Sequence, residues 1–514
     1  MKIVRILVAV LILITIVLAS ACANREELNE NSFFELKETP SVEVKDDETI
    51  LIRRSEAYVD SLKASDSYGE LMAFAGQILD YKSTAEGVTD GFSAPLYGLC
   101  TLSGEIIVDP VYDSVTAHDL DNGARLLELK IKDKTYLAYS DGSWIMELKK
   151  DWSYSGVCGN ERFAIKRIRT KWLGGKKYQL PYYDFYNYKG KKVFTFDTEI
   201  SANVNVKFTI GNFAQGLAPV NVVTYDPATE TSMQSAFFMD VSGKKVFDGF
   251  KSATEFCDGL AVVTFADDMA GVIKSDGEYY IEPTYYGIEY NKEKKLFVCG
   301  MGDHFVVLDL NKTEVTNVLC KDGTVSLLGK DTLVYKKTIN ATKKTEYFSV
   351  DNNKPLTCAE TGQFPDEGSG ANGIFYCSYG GVTNIFNENG KTITSIKNFG
   401  RIVAFAGDVA VITDSSAQKT MFLNTVTAQK TDWLDFTPTK DVYLNRYAIL
   451  KSGEKLALYD TVLGEYTFSD CDLLEYINVS GNEFLEVMHN GYISLFDADF
   501  TKIMHFAYEQ EAVK

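Results

Sequence analysis

The chain has 514 residues, 45% hydrophobic and 24% charged, an ordinary globular mix with room for one large body or two domains. Thirty Tyr and 31 Phe against ten Pro lean it towards pleated, half-buried surfaces. A net charge of −19 repels phosphate backbones and argues against nucleic acid as a partner.

The N-terminus reads as an export signal. Lys2 and Arg5 form a short basic region, residues 6–18 are apolar apart from Thr15, and Ala19-Ser20-Ala21 leads into Cys22. The cysteine after small residues resembles the lipobox of bacterial lipoproteins. That resemblance implies a leader over 1–21 and a diacylglycerol thioether on Cys22. Ala19 stands where that family carries Leu, with Leu18 one position earlier. The alternative is an uncleaved membrane span over 3–21. Both readings put the body outside, because Lys2 and Arg5 favour an inner N-terminus.

Residues 22–50 carry nine carboxylates against Arg25, Lys37 and Lys45 and show no period, which predicts a flexible tether. Over 51–85 the pattern predicts a short α-helical segment. Ser67 and Glu70 form a capping box, and Leu71, Phe74, Ala75, Ile78 and Leu79 share a helical face. Eight cysteines follow Cys22, none in a C-x-x-C pair and none clustered, so buried free thiols are expected over a disulfide framework.

From residue 86 to 510 short apolar runs alternate with glycine turns, and the segments repeat. Phe213-Ala-Gln-Gly216-Leu-Ala matches Phe256-Cys-Asp-Gly259-Leu-Ala, and Gly190-Lys-Lys-Val-Phe194 matches Gly243-Lys-Lys-Val-Phe247. Tyr97-Gly98-Leu99 with Gly104, Val108, Pro110 and Tyr112 matches Ala270-Gly271-Val272 with Gly277, Ile281, Pro283 and Tyr285 at identical spacing. These residues resemble the WG repeat family, although Tyr97 and Ala270 replace its signature Trp. The resemblance implies an array of β-units without naming an activity. The expected fold is therefore all-β, a β-propeller of about seven to ten units, with a β-solenoid as the alternative.

Chemistry is sparse. The four histidines, His118, His304, His489 and His505, sit in no metal or catalytic motif. Gly368-Ser-Gly370-Ala-Asn-Gly373 matches a dinucleotide fingerprint by letter but precedes a strand-like run, so it reads as a loop. Asp119, Asp121 and Gly123 suggest calcium only weakly, because no Glu closes the loop. No catalytic residue, cofactor or metal is assigned. The candidate contacts are one basic hairpin, Lys166, Arg167, Arg169 and Lys171 (with Lys176 and Lys177 beyond its Gly-Gly turn), and the neighbouring Tyr182 and Tyr186. It suits an anionic partner such as a lipid headgroup or wall polymer, or else the charges guard a sheet edge and the tyrosines are core. The expected protein is a lipid-anchored, extracytoplasmic binding module at the cell membrane, with an unidentified protein or polysaccharide partner. The alternative is an extracytoplasmic hydrolase acting on wall polymer or glycan.

Overall fold

A computed structural model describes residues 68–507, except 77–78, 85–86, 93–95, 132, 174–175, 198–204, 227–228, 329–333, 340–343, 351–365, 370–373, 380–381, 388–390, 398–400, 415–417 and 490–491. The leader, Cys22, the tether and most of the expected helical segment lie outside the described residues.

The described elements are all strands, paired antiparallel with their sequence neighbours. They form eleven sheets of three or four strands, the blades of a β-propeller. Blades 1 to 11 span 71–112, 114–148, 152–196, 205–250, 252–285, 287–319, 323–349, 366–397, 401–424, 437–471 and 473–507. A separate hairpin, Leu79–Thr84 with Gly87–Phe92, is inserted in blade 1.

The sequence dictates a stack because the second strand of a blade is apolar on both faces. Leu260–Thr264, Leu296–Gly300 and Val409–Asp414 are near-continuous apolar runs with little exposure. Since alternate residues of a strand point to opposite faces, each run needs a neighbour on both sides. Leu71 packs into a cluster with blade 2, and the next residue, Met72, into one with blade 11. Eleven such clusters fill the eleven interfaces of the ring.

The last of these clusters closes the circle. Met72, Phe74 and Cys100 of blade 1 interlock with Val479, Phe484, Ile493, Leu495 and Met504 of blade 11. The Glu486 carboxyl, fully buried in blade 11, accepts a hydrogen bond from the Ala75 backbone N–H of blade 1 at 2.8 Å. Every described sheet is built from strands consecutive in the chain, so this seam is held by side chains rather than by a shared sheet.

The repeated motifs turn out to be joints. In Phe-x-x-Gly-Leu-Ala the pairs Gln215-Gly216 and Asp258-Gly259 have positive φ throughout, making the tight hairpin turn between first and second strands. Phe213 and Phe256 anchor that turn in the core. The glycine of the degenerate Trp-Gly pair marks a register break, between Ala270 and Val272 against the fourth strand. A Cβ on Gly271 would lie 2.9 Å from the Ile281 carbonyl oxygen. The glycine of Gly-Lys-Lys-Val-Phe lies over the preceding blade: a Cβ on Gly243 would meet the Phe194 ring at 2.5 Å, and one on Gly277 the Phe247 ring at 2.7 Å. Each motif thus supplies a socket for the blade before it and a ring for the blade after it.

Two expectations change. The segment expected to be helical through Leu79 is a strand over Leu71–Gly76, paired with Leu96–Thr101 in blade 1, and the repeat domain begins there rather than at 86. Leu71, Met72, Phe74 and Ala75 are all buried, and a run that is apolar on both faces satisfies helical and strand periods alike. The blade count is eleven rather than seven to ten. The clearest self-matches fall in the long blades 3 and 4, whereas blades 10 and 11 start only 36 residues apart, at Thr437 and Leu473.

The seam makes stability depend on pH. Burial pushes the Glu486 carboxyl well above the usual carboxylate range, the Ala75 N–H opposes this, and Glu475 adds to it. A folded-state value above the unfolded one favours the fold in acid, and that advantage is lost as pH rises through the folded value. Glu486→Gln keeps a carbonyl acceptor for Ala75 and removes the ionisation. The variant should melt higher than the parent near pH 8, with the gap narrowing towards about pH 5, read by thermal unfolding at the two values.

Candidate functional site: the projecting hairpin of blade 3

Blade 3 departs from the pattern of its neighbours. Its middle strands, Arg162–Leu173 and Lys176–Asn187, are twelve residues each, against five each for Leu260–Thr264 and Ala270–Lys274 of blade 5. The inner strand, Trp152–Gly159, pairs with the first of them only as far as Arg167. The outer strand, Lys192–Phe196, pairs with the second only from Tyr183 onward. Residues 168–173 and 176–182 therefore have only each other as sheet partners. At about 3.3 Å per residue this is a two-stranded ribbon projecting about 20 Å from the ring.

A lone two-stranded ribbon is marginal in water, and its root is accordingly clamped. Arg167 pairs with Tyr182 in register, its guanidinium 4.1 Å from the Trp152 ring centre and 4.9 Å from that of Tyr182. The same guanidinium is ion-paired with Asp184, which is wholly buried and also binds Lys192 at 2.6 Å and the Thr195 hydroxyl at 2.6 Å. Burial acts to raise the Asp184 carboxyl, but Lys192, Thr195 and Arg167 outweigh it and hold it below the usual carboxylate value. Arg169 binds Asp197 at 2.5 Å and lies 5.8 Å from the Tyr182 ring.

Of the expected contact residues, then, Arg167, Arg169 and Tyr182 build the root of the ribbon. Tyr186 is core, stacked on Phe163 at 5.5 Å within the cluster shared with blade 2. Lys166 is half-buried on the opposite face, paired in register with Tyr183, and Lys171 occupies a ribbon position opposite Tyr178. The hairpin is the middle of its sheet up to Arg167, so its charges guard no edge there.

Sequence reading passed over the ribbon's apolar face. Ile168 and Trp172 are 44% and 68% exposed and continue, at alternate positions, the face on which Ala164 packs against blade 4. Trp172 stands opposite Lys177. Blade 4 also has long middle strands, Leu217–Asp226 and Thr231–Asp240, whose connection lies on the same side of the ring. Their Met233 is 72% exposed, on the blade 3 side of that sheet. The signal available in the sequence was a tryptophan two residues before Gly174-Gly175 in a strand otherwise basic.

Other polar groups are engaged in structure. Asp121 accepts the Asn160 N–H at 2.6 Å and the Tyr188 hydroxyl, fastening blade 2 to blade 3. His505 is hydrogen-bonded to Ser494 at 2.6 Å, but Ser494 has no exposure, so the pair lies within the core. Asp366–Ser369 and Phe375–Tyr379 are strands, and the fingerprint-like glycines lie at the turn between them, not before a helix. No cluster of His, Cys, Asp or Glu suited to a metal ion occurs among the described residues. A cavity of about 430 Å³ between blades 5 and 6 contains Glu255, Cys257, Glu289 and Lys292 over Leu260, Val262 and Phe297. Burial raises the Glu289 carboxyl, while Glu255 holds the Asn212 N–H at 2.7 Å. Cys100, Cys158, Cys257, Cys299, Cys320 and Cys471 are free thiols, as expected, whereas Cys377 is disulfide-bonded.

The fold and this site define a closed eleven-bladed β-propeller that carries a projecting, basic, tryptophan-tipped ribbon. No protein family description matches the chain, and no curated relative does. Among solved structures it is similar to a eukaryotic initiation factor at 12% identity and a TM-score of 0.32, over 86% of this chain and 96% of that one. AztD of Citrobacter koseri matches at 15% identity and a TM-score of 0.23, over 64% of this chain and 92% of its own. Hsv2 of Kluyveromyces lactis matches at 13% and 0.24, over 41% and 72%. Likenesses this distant say nothing about activity or partner.

The root of the ribbon gives a measurable expectation. Asp184→Asn leaves Arg167 and Lys192 without their carboxylate and should cost about 2 kcal/mol near pH 7. That is less than the ~3–5 kcal/mol of a fully buried pair, because both cations keep water contact. Because the folded value lies below the unfolded one, the stability this carboxylate confers is lost as pH falls through it. Urea unfolding should therefore show the variant and parent converging below about pH 4.

Proposed function

We propose that this propeller is a binding module held on the outer face of a cell membrane by a lipid on Cys22, with the ribbon of blade 3 as its contact element. The observation that carries the reading is the ribbon itself. It leaves the ring by six residues per strand, is braced at its root by Arg167 and Asp184, and has an exposed tryptophan near its tip. Side chains held this way on a rigid scaffold are suited to recognition, because little ordering remains to be done on contact. The basic, apolar and small-residue order before Cys22 supports the lipid and the outward placement. The disulfide at Cys377 supports them too, since such bonds persist in oxidising surroundings.

The test is intact mass and detergent partitioning of the native protein beside Cys22→Ala. The expected result is a mature chain beginning at Cys22 with added diacylglycerol, moving to the detergent phase, and loss of both in the variant. An unprocessed N-terminus in both proteins would overturn the lipid anchor in favour of a membrane span over 3–21.

A further inference from the structure

We infer that the free end of the blade 3 ribbon docks on an anionic phospholipid surface, with Trp172 entering the boundary between headgroups and acyl chains. The inference rests on reading the ribbon as the contact element and adds the chemistry of its partner.

Three observations converge on it. The first is charge. Between Arg162 and Tyr183 the chain carries seven cations and no acid, in a protein whose net charge is −19. Arg167 and Arg169 are answered by Asp184 and Asp197 at the root, so the charge that faces outward is that of the lysines nearer the tip, Lys177 among them. The second is apolar exposure. Ile168 and Trp172 lie on one face of the ribbon, and Met233 of blade 4 lies on the sheet that faces it, all of them open to solvent. A tryptophan has an apolar body and one polar N–H, which suits the interface of a bilayer, where one end is dry and the other wet. Cations beside it add attraction to anionic headgroups.

The third is distance. An acidic body should be driven away from an anionic membrane, but at physiological salt a charge is screened within about 8 Å. The ribbon holds its tip about 20 Å beyond the ring. The lysines therefore meet the surface while the body's acids are more than a screening length behind. A compact basic patch on the ring itself would not have this separation.

The experiment uses the full-length protein and vesicles whose acyl chains carry bromine, a short-range quencher of tryptophan emission. The chain has four tryptophans, so Trp172→Phe assigns the signal. With phosphatidylglycerol-rich vesicles the parent should be quenched, and Trp172→Phe should lose that quenching. Lys177→Glu, or high salt, should reduce it while the folded signature in circular dichroism is retained. With phosphatidylcholine alone the Trp172 component should be absent.

Equal quenching of parent and Trp172→Phe on anionic vesicles would overturn the inference, as would quenching indifferent to headgroup charge. A Trp172 emission shift with soluble polyglycerol phosphate, and none with vesicles, would replace the lipid with an anionic polymer. Because the readout is position-specific, a failed lipid anchor at Cys22 would show in the mass measurement and leave this result to stand or fall alone.

Discussion

Everything in this molecule follows from strands that are apolar on both faces. A sheet containing Leu71-Met72-Ala73-Phe74, or Val409-Ala410-Val411-Ile412, has no side that tolerates water, so it is stable only between two others. An open stack of such sheets would leave an apolar face at each end. Joining blade 1 to blade 11 removes both ends at once, and the eleventh cluster is the same kind of cluster as the other ten. The seam nevertheless differs chemically from the rest. It relies on Glu486, a carboxyl buried without a cation, to meet the Ala75 N–H. A buried donor left unmet costs about 1–3 kcal/mol, which is reason enough for an acceptor there. That the acceptor is ionisable makes ring closure sensitive to pH in a way the other interfaces are not.

Much of this was legible in the sequence, and the parts that were not share a cause. Repeat spacing and glycine turns gave the all-β ring, because sockets such as Gly243 and registers such as that at Gly271 are fixed by local contacts and reappear as letters. The count was low because self-similarity is strongest where the joints are best kept, in blades 3 to 5, and those include the longest units. Blades 9 to 11 keep the geometry with different letters. Phe500, at φ +58°, makes the turn that glycine makes elsewhere, so the pattern disappears while the fold persists. The helix expected at 67–79 failed for the reason that makes the ring necessary. A strand buried on both faces has no period of two to detect.

The candidate site shows the same division. The basic hairpin was visible as a cluster of charge, but charge alone does not say which cations are already answered. Asp184 lies within a run of aromatics and reads as an incidental acid, yet it is the wholly buried partner of Arg167 and Lys192. Once the register is known, the residues expected to face a ligand become the foundation, and the working end moves to Ile168, Trp172 and Lys177. No sequence pattern reports where a sheet loses its outer strands. That depends on Trp152–Gly159 and Lys192–Phe196 stopping short, which is a matter of pairing.

The root and the tip of the ribbon also constrain each other. A two-stranded ribbon alone would fray, and a frayed ribbon could not hold a tryptophan in a defined place. The clamp of Trp152, Arg167, Tyr182 and Asp184 fixes the ribbon where it leaves the ring, using an arginine because a planar guanidinium can stack on two rings while binding a carboxylate. A lysine at 167 would keep the charge and lose the stacking. Two of the ribbon's cations are thus committed to rigidity, and the attraction available to a partner is smaller than the cluster suggests, but it is delivered at a fixed distance from an acidic body. For a protein of this charge, distance counts for more than the number of cations, because screening removes the body's repulsion over a length shorter than the ribbon.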